Sequence, residues 1–228
     1  MGEPRAVIEL FTSQGCSSCP PADRLMGELA KDPSLVTMSL PVDYWDYLGW
    51  KDTLALHGHS NRERAYANAR GDRDVYTPQV VVNGVAHVLG SDKTAIEAAI
   101  ARTRSDAAPL TLPVTVSVAG GTVTVNVPAA TGGHSSGEVW LCPITNKAEV
   151  AIGRGENRGH TLNYYNVARR WIKLGDWSGQ AQTFTLPLAQ VADADVSLKD
   201  IDHLAVLVQS GAAAKPGLML GAATASLH

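Results

Sequence analysis

Apolar positions change their period early in the chain. Residues 7–11 form a short, largely apolar run bounded by turn-formers, whereas Ala22, Leu25, Met26, Leu29 and Ala30 recur at the three-and-four spacing of one helical face. A buried strand therefore runs through a short loop into a helix. Pro20 and Pro21 mark the first turn of that helix, where a missing N–H costs little. Residues 35–40 follow as a second apolar, β-branched strand, and a strand–helix–strand unit of this kind implies a right-handed crossover and parallel pairing. A polar helix is expected over 60–73, with Ser60 or Asn61 as N-cap and Glu63 as a capping-box partner of Ser60. Residues 79–90 read as two antiparallel strands turning at Asn83-Gly84. Ser91-Asp92 caps a last helix whose buried stripe is Ala95, Ile96, Ala99 and Ile100.

From Ala107 the pattern changes to short β-branched runs separated by Gly-rich turns. About eight strands are expected, over 112–118, 122–127, 138–142, 148–153, 160–172, 182–186, 204–209 and 218–223, the pattern of an all-β sandwich. The fold class expected is an α/β domain over 1–106 followed by an all-β sandwich-like domain over 107–228. No fixed-period repeat is present.

Length allows two such domains in 228 residues, and the composition is that of an ordinary globular protein. A net charge of -3 gives no reason to expect nucleic acid as a partner. No apolar run approaches the roughly 18 residues needed to span a bilayer, so membrane insertion is not expected. The first four residues do not read as a signal peptide, although a cleaved leader would leave the same start.

Chemistry concentrates at Cys16 and Cys19. A helix start beside Cys16 brings unpaired N–H groups and the positive end of the helix dipole, both of which favour a thiolate; such placement lowers a cysteine pKa from about 8.5 to roughly 3.5–7.5. With two residues between the sulfurs, Cys16, on the exposed side, can attack a substrate disulfide and Cys19 can resolve the mixed disulfide. Ser17 and Ser18 lie between them at the mouth of the cleft. Zinc competes as a reading, but a closed site needs four ligands and only one such pair is present. His57 and His59 are the histidines that a copper or zinc site on these thiols would recruit. The third thiol, Cys142, falls in an apolar strand and reads as a buried small residue.

Tyr44, Trp45 and Trp50 leave the carboxyl end of the second strand, where open α/β sheets place their ligand crevices. They either wall a substrate groove beside the thiols or cap the core. Thr77-Pro78 opens a core strand with a residue unable to donate to the ladder. Either the bond is cis and Thr77 offers its backbone to a docked peptide, or this is an ordinary trans proline at a strand start. Residues 153–159, rich in Gly and Arg, lack the ending of a phosphate-binding loop and read as a hairpin turn. With Arg154, Arg158, Arg169 and Arg170 near it, that turn could dock onto the first domain or an acidic partner.

The order of these elements over residues 5–105 resembles the thioredoxin fold. Residues 7–12 before Cys16 look like the opening strand of thioredoxins and glutaredoxins, and Tyr76-Thr77-Pro78 looks like their cis-proline loop. The resemblance implies Cys16 as attacking thiol, Cys19 as resolving thiol, Thr77-Pro78 as the substrate-pairing turn and Glu9 as a buried acid able to take the proton of Cys19. A glutamate at a strand edge is the plainer reading of Glu9. Residues 9–23 and 42–52 further resemble an uncharacterised bacterial family of thioredoxin-like, often secreted proteins catalogued as a domain of unknown function. The expected function is thiol-disulfide oxidoreductase in the periplasm or outside the cell, without a cofactor, acting on a protein or small-molecule disulfide or thiol. Soft-metal binding and a non-catalytic interaction module are the alternatives.

Overall fold

The computed structural model describes residues 3–133 and 135–227; Met1 and Gly2, part of the start read above for a signal peptide, lie outside them. Strand β1 (Ala6–Thr12) leads through a loop into helix α1 (Pro20–Leu29) and strand β2 (Leu35–Pro41), which pairs with β1 in parallel. Helix α2 (His57–Arg70) is followed by β3 (Gln79–Val82), antiparallel to β1, then by β4 (Ala86–Leu89) and helix α3 (Lys93–Ala107). Successive side chains of a strand point to opposite faces. Accordingly Ile8, Leu10, Val80 and Val82 pack against α1 and α3, whereas Val7, Phe11 and Val81 pack toward Tyr66 of α2.

Two boundaries differ from expectation. Helix α2 begins at His57, because the Ser60 hydroxyl bonds Asp43 and Glu63 Oε1 accepts from the Tyr76 N–H, so neither caps a helix start. In the hairpin, Val82 pairs with Ala86, which puts Asn83, Gly84 and Val85 in the turn. Asn83 adopts φ 51° and its side chain accepts from Val7 N at 2.8 Å, tying the turn to the adjoining strand. Asp92 caps α3 as expected, accepting from Ala95 N at 2.9 Å.

The rest of the chain is β5 (Thr115–Ala119), β6 (Thr122–Val127), β7 (Gly137–Ala151), β8 (Thr161–Ala168), β9 (Ile172–Trp177), β10 (Gln182–Pro187), β11 (His203–Ala212) and β12 (Lys215–Ser226). The runs expected over 138–142 and 148–153 are one long strand, and the run over 160–172 divides at residues 169–171. Among the described residues the main sheet has nine strands in the order β12-β11-β7-β8-β2-β1-β3-β4, with β9 also on β7. The expected boundary at 106/107 therefore does not separate two sheets; only β10-β6-β5 forms a sheet of its own, stacked on the β half of the large one.

Burial on both faces explains that arrangement. Val139 and Leu141 of β7 and Leu204, Val206 and Val208 of β11 face the small sheet. Their neighbours Cys142, Ile144, Ala205 and Leu207 face a second core shared with Val7, Phe11 and Tyr66 of the first half. Strands apolar on both alternations need cover on both sides, which a two-layer sandwich does not supply.

The β2–β8 junction is short, pairing Ser39 with Val167, and is reinforced by the Ser39 hydroxyl on the Tyr165 carbonyl at 2.7 Å and by Asn166 Nδ2 on the Thr37 hydroxyl at 2.7 Å. No helix is long and apolar enough to cross a membrane, among the described residues.

Candidate functional site

At the carboxyl end of β1 the chain turns through residues 13–15, and Cys16 and Cys19 are joined by a disulfide at the start of α1. Gln14 anchors the loop: its N–H donates to Asp52 Oδ2 at 2.8 Å, and its side-chain oxygen accepts from Trp50 Nε1 at 2.8 Å. Gly15 is required by crowding, since a Cβ there would lie 2.9 Å from the Cβ of Trp45. The Thr77–Pro78 bond is cis, and the Thr77 carbonyl oxygen lies 3.7 Å from Cys16 Sγ. Trp45 Nε1 donates to the Thr77 hydroxyl at 2.8 Å, so the aromatic segment and the Thr-Pro turn meet beside the sulfurs.

Cys16 is not on the exposed side of the site. It is 1% exposed and Cys19 0%, while Ser17 and Ser18 between them face solvent. Cover comes from the turn between β7 and β8. Asn157, itself buried, donates from Nδ2 to the carbonyls of Gln14 at 2.9 Å and Cys16 at 3.0 Å, and Glu156 accepts from the Ser17 N–H at 3.1 Å. Trp50 props this turn from below, with its ring against Gly153. So Trp45 borders the disulfide, Trp50 supports its cover, and Tyr44 packs into the core beside Trp45. Arg154 and Arg158 of the same turn stay exposed; the docking is done by Glu156 and Asn157, which no spacing in the sequence singled out.

The amides near the helix start are largely committed. Pro20 and Pro21 have none, the N–H groups of Ala22 and Asp23 go to the Cys19 carbonyl, that of Cys19 goes to the Cys16 carbonyl, and that of Ser17 goes to Glu156. The Ser18 hydroxyl lies 3.4 Å from Cys16 Sγ, nearer than the Thr77 carbonyl oxygen at 3.7 Å.

Glu9 does not meet the sulfurs. It is fully buried on the α2 face of β1, opposite α1, with one oxygen accepting from Arg62 Nε and the other from the Tyr66 hydroxyl, both at 2.6 Å. A different acid lies on the cysteine side. Asp23 follows Cys19 by one helical turn on the same face of α1 and is buried. Its Oδ1 accepts from the Thr12 hydroxyl at 2.7 Å, and its Oδ2 is buried without a hydrogen-bond partner. Burial, aided by the Asp52 charge, pushes the Asp23 carboxyl up to about 8; burial likewise pushes Asp52 up to about 6. An acid within the stripe of Ala22, Met26 and Ala30 was the sequence signal for this residue.

The histidines and the third cysteine go elsewhere. His57 Nδ1 bonds Asp43 at 2.8 Å, and His59 is fully buried with Nδ1 on the Pro41 carbonyl at 2.9 Å, where burial pushes it down to about 4. Among the described residues no group of three or more His, Cys, Asp or Glu is placed to hold a metal ion. Cys142 is a fully buried free thiol in the shared core, and burial raises its pKa.

Comparison with known proteins places residues 7–209 in a family described as proteins of unknown function (DUF1223), and the chain belongs to that family. It is similar to the crystal structure of a structural-genomics protein from Agrobacterium tumefaciens, with 32% identity, a TM-score of 0.86, and coverage of 100% of this chain and 96% of the other. Likeness to HBP35 of Porphyromonas gingivalis, at 13% identity, a TM-score of 0.62 and coverage of 100% and 76%, extends to the fold alone. No functionally curated protein matches.

Proposed function

For this member of a family of unknown function, we propose a thiol-disulfide oxidoreductase built on a thioredoxin-like arrangement of residues 1–106, acting in the periplasm or outside the cell. The observation that carries the reading is the Cys16–Cys19 disulfide at a helix start with the Thr77 carbonyl oxygen 3.7 Å from Cys16 Sγ. With the β7–β8 turn displaced from the buried pair, a substrate thiolate attacks Cys16 Sγ, the Cys16–Cys19 bond breaks, and Cys19 leaves as a thiolate. A second substrate thiol then displaces Cys16 from the mixed disulfide, so two thiols are oxidised to one disulfide and the protein is left as the dithiol. The reverse sequence uses the same atoms. Asp23, with an unpartnered carboxyl oxygen one helical turn from Cys19, is the group that gives or takes the Cys19 proton. The resemblance of residues 9–23 and 42–52 to an often secreted family is what supports an exported compartment.

The test is equilibration of the full chain with reduced and oxidised glutathione, trapping free thiols by alkylation and counting them by mass. A reversible Cys16/Cys19 couple is expected, with Cys19→Ser accumulating a mixed disulfide on Cys16. A pair that neither exchanges in the folded protein nor leaves a mixed disulfide in Cys19→Ser overturns the reading.

A further inference from the structure

We infer that Glu156 and Asn157 are working parts of the Cys16–Cys19 site: Asn157 fastens the β7–β8 turn over the disulfide, and the Glu156 carboxylate opposes formation of the Cys16 thiolate. This rests on the proposed thiol exchange and gives the β half of the chain a part in it. The contacts span 139 and 141 residues of sequence, so they exist only because β8 lies against β2. Asn157 is a buried side chain whose amide bridges two carbonyls of the cysteine loop, a clasp that a casual surface contact would not form.

Glu156 acts by charge. Its carboxylate is held on the amide next to Cys16, and hydrogen bonding from Ser17 keeps it below the usual glutamate range, so it is ionised at neutral pH. Opening the disulfide creates a second negative charge at the same mouth. Like charges at close range disfavour the ionised form of the second group. The prolines at the helix start withhold the amides that would offset this, and the Ser17 amide is already taken. The other titratable or charged groups around the sulfurs are Asp23 on α1 and Asp52 after β2, both buried, with the Asp23 carboxyl holding its proton at neutral pH, and the exposed Arg154 and Arg158 flanking Glu156 on the turn; the Thr77-Pro78 turn ahead of β3 brings no charge. The disulfide is thereby favoured over the dithiol, and the turn is held most firmly on the oxidised protein. Reduction loosens it.

The test uses the full chain with E156Q, E156D and N157A. E156Q keeps the acceptor and removes the charge. Its Cys16 alkylation profile is expected to move to lower pH by on the order of half a unit, the effect of an exposed and salt-screened like charge. Its glutathione equilibrium is expected to move toward the dithiol by up to about threefold, which is half a unit expressed as a ratio. E156D restores the wild-type profile. Trypsin is expected to cut after Arg154 and Arg158 faster in the reduced than in the oxidised wild type, and fastest in N157A. An alkylation profile in E156Q identical to wild type, or cleavage independent of redox state, overturns the inference. A shifted E156Q profile in a protein that exchanges with neither glutathione nor a protein disulfide sinks the oxidoreductase reading and leaves only the effect of Glu156 on the Cys16 thiolate; robust exchange with an unaltered E156Q keeps that reading and overturns the inference.

Discussion

Glu9 and Arg62 meet at 2.6 Å across the interface of β1 and α2, the carboxylate fully buried and the guanidinium nearly so. Arg62 also lies 4.3 Å from the centroid of the Trp171 ring, and its Nη2 donates to Gln209 of β11 at 2.9 Å. The pair thus joins the two halves of the chain on the far side of the sheet from the disulfide.

Removing the Glu9 charge leaves Arg62 buried without its counter-ion. Glu9→Gln is expected to lower stability by about 3 kcal/mol, the cost of breaking a buried ion pair on one side. The check is urea unfolding beside the glutathione equilibrium of Cys16 and Cys19. A shifted urea midpoint with an unmoved redox equilibrium is the expected pair of results; the reverse would place Glu9 in the chemistry.

Asp23 sets a pH dependence of the opposite sense to that of an ion-paired acid. Between its ordinary 3.8 and about 8 the unfolded chain has released a proton that the folded protein keeps. The unfolded state then binds fewer protons, and stability falls as pH rises. Glu63, pushed up to about 7 by burial, acts in the same direction. His59, lowered from 6.5 to about 4, acts in the opposite direction, but only below 6.5. Thermal unfolding of wild type is therefore expected to weaken from pH 6.5 to 8, and Asp23→Asn is expected to flatten that decline. An equal decline in the variant would show Asp23 ionised in the folded protein.

Gly84 marks a place where the two halves touch backbone to backbone. It has φ +76°, and a Cβ there would lie 2.2 Å from the Gly217 carbonyl oxygen on β12. Next to it, Met219 N donates to the Asn83 carbonyl at 3.0 Å. Gly84→Ala is expected to cost about 3 kcal/mol, combining overpacking with a strained backbone. Chemical denaturation measures it. A variant as stable as wild type would mean that the hairpin turn is free of β12.

Much of the first hundred residues is legible because the signals are local. The change of period across residues 13–21, the proline pair, the Asn83-Gly84 turn and the Asp92 cap each depend on neighbours within a few positions, and each element forms where its signal lies. Reading fails where a polar residue has a distant partner. Ser60 and Glu63 have the spacing of a capping box, yet their bonds run to Asp43 and Tyr76. Glu9 and Asp23 are both acids in apolar surroundings, and only the strand's alternation combined with the helix's position tells which of them shares a side with Cys19.

The sequence by itself determined the strand, the two thiols and the helix start, because period, proline and spacing act over one or two turns of chain. What the tertiary structure decided was the company those thiols keep. The β7–β8 turn reaches Cys16 only after β7 and β11, apolar on both faces, have been drawn edge-on into the first sheet to bury both sides. Burial of that kind is a property of layers, and no window of sequence contains a layer.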